Sequence, residues 1–121
     1  MNKKIMIVDN SSSIRLLLKS TLTNAGYDVS TGVDGVDALI KLKTSPVDLV
    51  VTDLDMPHMN GLEFVKELRE IPTFKFIPII MLTTVSQEEL KIKGKQAGVT
   101  CWITKPFKPS TLVKFIKKTL R

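Results

Sequence analysis

Polar and charged residues that could carry chemistry follow apolar runs at four separate points of the chain. The four groups are Asp9-Asn10 after residues 5–8, Asp53 after residues 49–51, Thr83-Thr84 after residues 77–82, and Lys105 at the end of residues 99–104. If the apolar runs are neighbouring strands, these side chains converge at one edge of a sheet. Carboxylates, a hydroxyl and an ammonium gathered there are costly to bury unless something pairs them. A divalent cation held by carboxylate and carbonyl oxygens would do so, and this predicts a site for a hard metal ion.

The elements that must position these groups are short strands alternating with helices. The predicted strands are residues 5–8, 27–32, 49–51, 77–82 and 99–104. The predicted helices follow the serines at 11–13, run through Val36 to Leu42, run through Leu62 to Leu68, open at Ser86, and open at Pro109. Five strands alternating with five helices favour an α/β fold with a parallel sheet covered on both faces. Ligands of such sheets bind beyond the carboxyl ends of the strands, where the polar groups lie.

Length and composition favour one globular domain spanning residues 1–121. Apolar residues make up 43% of the chain and charged residues 25%, which is ordinary for a soluble protein. The longest apolar runs, such as Ile77 to Leu82, are too short to cross a bilayer. The single cysteine, Cys101, excludes an internal disulfide and favours a reducing compartment. We therefore expect a cytoplasmic protein without membrane insertion.

The net charge of +6 is unevenly distributed along the chain. Residues 1–89 contain all 12 acids and 9 bases, whereas residues 90–121 contain the other 9 bases and no acid. A block of one sign favours an anionic partner. A solvated lysine-rich face that only keeps the protein soluble explains the block equally well.

Five motifs occur in order over essentially the whole chain: Val8-Asp9-Asn10, Asp53-Leu54-Asp55-Met56-Pro57 with Asn60-Gly61, Met81-Leu82-Thr83-Thr84, Ala97-Gly98, and Thr104-Lys105-Pro106-Phe107. Together they resemble the receiver domains of response regulators in two-component systems, above all the stand-alone chemotaxis (CheY-like) regulators. The resemblance implies a flavodoxin-like (βα)5 fold, a doubly wound sheet of five parallel strands with helices on both faces. It also implies a signalling switch and not a metabolic enzyme, because receivers catalyse only their own phosphorylation and dephosphorylation.

The resemblance assigns three residues to the phosphoryl chemistry. Asp53 matches the aspartate that attacks the donor phosphorus, a role that suits a carboxylate because it is already ionised at pH 7. Lys105 matches a lysine that pairs with this carboxylate and then with the phosphoryl group. Thr83 matches a residue whose hydroxyl donates to a phosphoryl oxygen. The Lys105-Pro106 peptide bond has a restricted geometry, but the sequence leaves open whether it is cis.

The resemblance also implies a Mg²⁺ site, with one departure from the family pattern. Asp9, Asn10, Asp53 and the backbone carbonyl of Asp55 match the positions that hold the ion. The family usually has an acid where Asn10 stands, so the site has lost one negative charge. One hypothesis is that the carboxylate of Asp55 restores this charge, directly or through a metal-bound water. The alternative is that Asp55 faces solvent and only repels incoming donors.

A second departure concerns the switch residues, Thr83 and Trp102. Trp102 stands where the family has an aromatic residue that swings inward on phosphorylation. Thr84 stands where a smaller residue usually leaves room for that movement, which puts the swing in doubt. A partly exposed tryptophan that only covers the edge of the sheet is the competing interpretation.

The implied partners are a histidine kinase as phosphodonor and a downstream target on the basic face formed by residues 91–121. We expect a monomer that binds no specific nucleic acid.

A phosphorelay intermediate or a phosphate sink would have the same sequence features. A phosphatase of the haloacid-dehalogenase type is an alternative because Asp53-Leu54-Asp55 resembles its Asp-x-Asp signature, although that signature follows the first strand. No glycine-rich loop supports a nucleotide binder.

Overall fold

A computed structural model describes residues 2–120, which form strands and helices in strict alternation. The strands are β1 (Lys4–Val8), β2 (Asp28–Gly32), β3 (Leu49–Thr52), β4 (Ile79–Thr83) and β5 (Cys101–Thr104). The helices are α1 (Ser12–Asn24), α2 (Gly35–Thr44), α3 (Gly61–Glu70), α4 (Glu88–Ala97) and α5 (Pro109–Thr119), and a short 3-10 helix (Pro72–Phe74) precedes β4. Within this part of the chain, no helix is long and apolar enough to span a membrane.

The strands form one parallel sheet in the order β2-β1-β3-β4-β5. This order confirms the predicted flavodoxin-like fold. The register pairs Val8 with Thr52 and Thr83 with Thr104, so the carboxyl ends of four strands lie at one edge. The polar residue that ends or follows each of these strands therefore lies at the same edge of the sheet.

Two apolar clusters, one on each face of the sheet, hold the helices in place. Met6 and Val8 of β1 belong to the cluster that α2 and α3 cover, whereas Ile5 and Ile7 belong to the cluster that α1 and α5 cover. Because both faces are covered, the central strands are apolar at almost every position. The largest buried side chains of the first cluster are Phe64 of α3 and Phe74 of the 3-10 helix.

The helix ends follow from local signals that the sequence contains. The Ser11 hydroxyl caps α1 by accepting from the N–H of Ile14 at 3.3 Å. Gly26, just after α1, has a φ of 100°, a conformation that favours glycine. Pro109 occupies the first turn of α5, where its missing N–H costs nothing.

The start of β4 differs from its prediction. The apolar run beginning at Ile77 predicted a strand from that residue, but β4 begins at Ile79. Pro78 has no N–H and cannot donate to the ladder, although its carbonyl accepts from the N–H of Val50 at 3.1 Å. The ladder therefore begins one residue after the proline.

The starts of α4 and β5 each lie two residues after their predicted positions. Ser86 does not cap the helix, which begins at Glu88 after Gln87 and has no side-chain cap at its N-terminus. Val99 belongs to the helix end and not to β5, because its N–H donates to the carbonyl of Gly94 at 2.9 Å. Gly98, with a φ of 113°, forms the left-handed cap that turns the chain there.

The apolar residues that predicted α2 do not all face the core. Val36 is 42% exposed and Ile40 64% exposed, whereas Ala38 and Leu42 are buried. The spacing predicted the helix correctly but not the face that it buries, because adjacent stripes of the helix are both apolar.

Arg69 joins the C-terminal ends of α3 and α4. Its Nε and Nη2 donate to the carbonyl of Gly98 at 3.2 and 2.6 Å, and its Nη1 donates to the carbonyl of Phe74 at 2.9 Å. Burial lowers the pKa of the Arg69 guanidinium from its ordinary value, yet arginine remains charged at neutral pH. One side chain thus pairs carbonyls at the ends of two elements.

Arg69→Met should destabilise the fold by about 1–3 kcal/mol, because it keeps most of the apolar stem and leaves these carbonyls without their donor. Urea unfolding measures the effect, with Lys66→Met as the matched control, since Lys66 is exposed on the same helix. Equal stability of the two variants would show that the arginine contributes no more than a surface cation.

Candidate functional site

The polar residues at the carboxyl edge lie on or next to four strands. Asp9 follows β1, Asp53 follows β3, Thr83 ends β4 and Lys105 follows β5. The neighbouring positions of β1, β3 and β4 in the sheet bring together residues that are far apart in the chain.

Every polar group of Asp9 makes a hydrogen bond. Its N–H donates to the Gly32 carbonyl at 3.2 Å, and its own carbonyl accepts from Arg15 Nη1 at 2.7 Å. Its Oδ1 accepts from the N–H of Ser11 at 2.9 Å, and its Oδ2 accepts from Lys105 Nζ at 3.1 Å. The residue is only 3% exposed, so this carboxylate is buried and fixed in orientation.

Asp53 is similarly anchored but keeps one oxygen less tightly engaged. Its N–H donates to the Val8 carbonyl at 2.9 Å, and its carbonyl accepts from the Thr52 hydroxyl at 3.0 Å. Its Oδ1 accepts from the N–H of Leu54 at 2.7 Å. Its Oδ2 lies 3.7 Å from Lys105 Nζ, a looser ion pair. Oδ2 is therefore the less tightly bound of the two carboxylate oxygens.

Lys105 pairs with both carboxylates. Its ammonium lies 3.1 Å from Asp9 Oδ2 and 3.7 Å from Asp53 Oδ2. Its backbone N–H donates to the Thr83 carbonyl at 2.7 Å, and its peptide bond to Pro106 is cis. Two carboxylates and one ammonium leave a net negative charge, which favours a bound cation.

Thr83 lies fully buried beside this group. Its hydroxyl oxygen accepts from the N–H of Val85 at 3.3 Å, so the hydroxyl proton stays available to another acceptor. Thr84, the next residue, is exposed.

The side chains of Asn10 and Asp55 are both exposed. Within residues 2–120, neither makes a hydrogen bond or an ion pair, and the Asp55 carbonyl accepts no hydrogen bond. Asp9, Asp53 and Lys105 are therefore brought into contact, whereas the two departures from the family pattern lie at the rim.

The loop after Asp53 is shaped by a capping box and a glycine. Asn60 and Glu63 exchange hydrogen bonds of 2.9 and 3.0 Å at the start of α3. A Cβ at Gly61 would overlap the carbonyl oxygen of Asp53, so only glycine lets α3 approach so closely. The Asn60-Gly61 motif thus positions the backbone of Asp53.

Two supporting residues were missed by sequence reasoning. Arg15 holds the Asp9 carbonyl, and the backbone of Ser11 holds its carboxylate. Ser11 was identified only as a helix cap. An arginine one turn into the helix after an acid is the signal that was available for Arg15, but surface arginines at such positions are common.

Trp102 of β5 is half-buried and packs against the apolar cluster beneath α4. Its Nε1 donates to the carbonyl of Val85, in the loop between β4 and α4, at 2.9 Å. Cys101, beside it, is partly buried, and this burial raises the pKa of its thiol. A raised pKa disfavours a reactive thiolate.

The donor set suits Mg²⁺ better than a metal that needs many protein ligands. Residues 2–120 contain no cluster of three or more histidine, cysteine or acidic side chains placed to hold a metal. Asp9 and Asp53 supply two carboxylates on adjacent strands, and the Asp55 carbonyl is unpaired in the following loop. Mg²⁺ commonly uses one or two carboxylates and completes its shell with waters and phosphate oxygens.

Comparisons with known proteins agree with this geometry. A family model described as the response regulator receiver domain matches residues 5–117. The chain is 41% identical over 119 residues to the chemotaxis protein CheY1 of Helicobacter pylori, covering 97% of this chain and 96% of that protein. It is 41% identical over 121 residues to the alkaline phosphatase synthesis transcriptional regulatory protein PhoP of Bacillus subtilis, of which it spans 50%.

A similar solved structure leads to the same family. The chemotaxis protein CheY4 of Vibrio cholerae has a TM-score of 0.94 and 44% identity, covering 98% of this chain and 99% of that chain. The family model spans all four strand ends that carry the site. The chain therefore belongs to the response regulator receiver domains of two-component signalling.

Proposed function

We propose that this chain is a phosphorylation-dependent switch in which Asp53 accepts a phosphoryl group from a histidine kinase. The observation that carries the proposal is the ammonium of Lys105, which lies 3.1 Å from Asp9 and 3.7 Å from Asp53. This ammonium lies close to two carboxylates from distant parts of the chain. It can therefore pair with a phosphoryl oxygen once Asp53 carries the phosphoryl group.

Transfer of the phosphoryl group depends on Oδ2, the less tightly bound carboxylate oxygen of Asp53. Asp53 Oδ1 is fixed by the Leu54 N–H, which aims Oδ2 outward as the nucleophile. Oδ2 forms a bond to the donor phosphorus while the bond from phosphorus to the donor nitrogen breaks, and the electron pair leaves with the imidazole, which takes up a proton. The product is an aspartyl phosphate. Lys105 then pairs with a phosphoryl oxygen, and the Thr83 hydroxyl donates to another.

Mg²⁺ is the proposed cofactor of this step. Asp9, Asp53 and the carbonyl of Asp55 would hold it, with the amide oxygen of Asn10 as a neutral fourth candidate. When bound, the ion neutralises charge on the transferring phosphoryl group. The Ser11 N–H and the Lys105 ammonium already orient the Asp9 carboxylate, which supports it as a ligand.

The output surface is proposed to be the basic face of α4, β5 and α5. Its exposed or partly exposed lysines are Lys91, Lys93, Lys95, Lys108, Lys114, Lys117 and Lys118. Arg121, which belongs to the same basic block, lies outside the described residues. Since residues 90–121 contain no acid, the face suits an acidic segment of a target protein.

Asp53→Asn should abolish phosphorylation by acetyl phosphate with Mg²⁺, because the amide is not a nucleophile. Intact mass spectrometry should show a gain of about 80 Da in the unaltered chain and none in this variant. Asp28→Asn is the matched control and should keep the gain, because Asp28 is exposed at the start of β2, away from the carboxyl edge. A chain that gains no mass, or an Asp53→Asn variant that still does, would refute the proposal.

The loss of charge at Asn10 should weaken Mg²⁺ binding, and Asp55 should compensate for part of it. Asn10→Asp is expected to tighten Mg²⁺ binding and Asp55→Asn to weaken it, each by roughly ten-fold. Isothermal titration with MgCl₂, without any phosphodonor, measures both. If Asp55→Asn binds Mg²⁺ as tightly as the unaltered chain, the carboxylate has no compensating role.

Reversing the charge of Lys91 and Lys95, or of Lys114 and Lys118, should weaken binding of acidic peptides to the phosphorylated chain. The effect should shrink as salt rises, because screening weakens the interaction in every variant. Peptide arrays at two salt concentrations measure this. Lys19→Glu with Lys66→Glu is the control, because both lysines are exposed on other helices. Salt-insensitive binding would argue against an electrostatic face.

A further inference from the structure

The indole of Trp102 is linked to the site through the loop between β4 and α4. The Thr83 hydroxyl accepts from the N–H of Val85 at 3.3 Å, and the carbonyl of Val85 accepts from Trp102 Nε1 at 2.9 Å. One residue of the loop therefore touches both the buried threonine and the tryptophan. Any movement of Val85 would change the environment of the indole.

The other side of the indole lies against Gly94 in the middle of α4. A Cβ at Gly94 would stand 2.9 Å from Cζ3 and 3.1 Å from Cε3 of the Trp102 ring. The first distance is too short for a normal carbon contact, so the ring would have to move. Gly94 is itself buried, and its φ does not lie in the left-handed region that requires glycine. The backbone conformation thus permits alanine at position 94, but its methyl group would clash with the Trp102 ring.

Helix α4 has few other contacts that hold its middle. Gly94 is its only fully buried residue among those described, and its N-terminus has no side-chain cap. Its C-terminal end is held by Arg69, which donates to the Gly98 carbonyl. A glycine in a helix interior lowers helix propensity, so its presence here is explained best by the space that the indole needs.

We infer that Gly94 forms a seat that holds the Trp102 indole inward before Asp53 is phosphorylated. The indole then keeps its contacts with Gly94 and with the Val85 carbonyl before and after phosphorylation of Asp53. We call these two retained contacts the latch. On this inference, phosphorylation leaves the loop contact and the α4 contact of the indole in place, and the aromatic ring does not swing. The regulatory half of this inference rests on the proposed phosphorylation of Asp53, whereas the seat itself does not.

The seat is tested first without any phosphodonor, in Gly94→Ala. Helix propensity alone predicts a more stable protein. The seat predicts the reverse, with a melting temperature lower by roughly 3 to 6 °C, the scale of one overpacked contact in a domain of this size. Because Trp102 is the only tryptophan, its emission should also shift to the red and its quenching by iodide should rise.

The background variant Trp102→Leu separates this contact from other effects of the alanine. Without the indole, Gly94→Ala should become neutral or stabilising, because nothing remains for its methyl group to displace. If Gly94→Ala is as stable as the unaltered chain and leaves its fluorescence unchanged, there is no seat. The same conclusion follows if the alanine destabilises both backgrounds equally.

The latch is tested next by iodide quenching of the unaltered chain before and after acetyl phosphate with Mg²⁺. Equal quenching in the two states, with intact mass confirming the added phosphate, supports a latched indole. A clear change in quenching with the phosphate present overturns the latch but leaves the phosphorylation proposal intact. If no mass is gained, the phosphorylation proposal fails, and the latch fails with it as a regulatory device, while the Gly94→Ala result still decides whether the seat exists.

Discussion

The ammonium of Lys105 organises the site, because it lies between two carboxylates that the chain would otherwise bury beside each other. Asp9 is 3% exposed, and two like charges at such depth repel strongly unless a cation is shared between them. The lysine contacts Asp9 at 3.1 Å and Asp53 at 3.7 Å, so it compensates one negative charge and leaves another. This remaining negative charge is consistent with the small hard cation proposed for the site. The backbone N–H of the same residue also ties β5 to the end of β4 through the Thr83 carbonyl.

The parallel sheet makes this arrangement possible. Parallel strands all present their carboxyl ends at one edge, so three or four single residues from distant segments can meet without a dedicated pocket. The supporting contacts come mainly from the backbone: the N–H groups of Ser11 and Leu54 orient the two carboxylates, and Gly61 lets α3 approach the Asp53 carbonyl. Backbone donors on rigid elements keep their direction better than flexible side chains do. The carboxylate proposed to accept the phosphoryl group is therefore positioned by the fold itself.

Of the five helices, α4 has the fewest buried residues. It is held at its C-terminal end by Arg69 and in its middle by Trp102 against Gly94, and its N-terminus lies free of a side-chain cap. Local stability varies across a protein, and elements with few buried contacts are those that move most easily. The basic surface proposed for a target includes this helix. The loop that contains Val85 thus links the buried Thr83 hydroxyl to Trp102, which packs against this helix.

The residue pattern by itself determined the α/β class, the alternation of elements and the convergence of Asp9, Asp53, Thr83 and Lys105, because apolar periodicity and the residues that end each run are local properties. The order of strands came from the family resemblance, and the sheet confirms it. Only the tertiary structure decided that Arg15 supports the Asp9 carbonyl and that Gly94 accommodates an indole. Each of these depends on a neighbour from another element, and spacing along one chain carries no information about which side chain will be that neighbour.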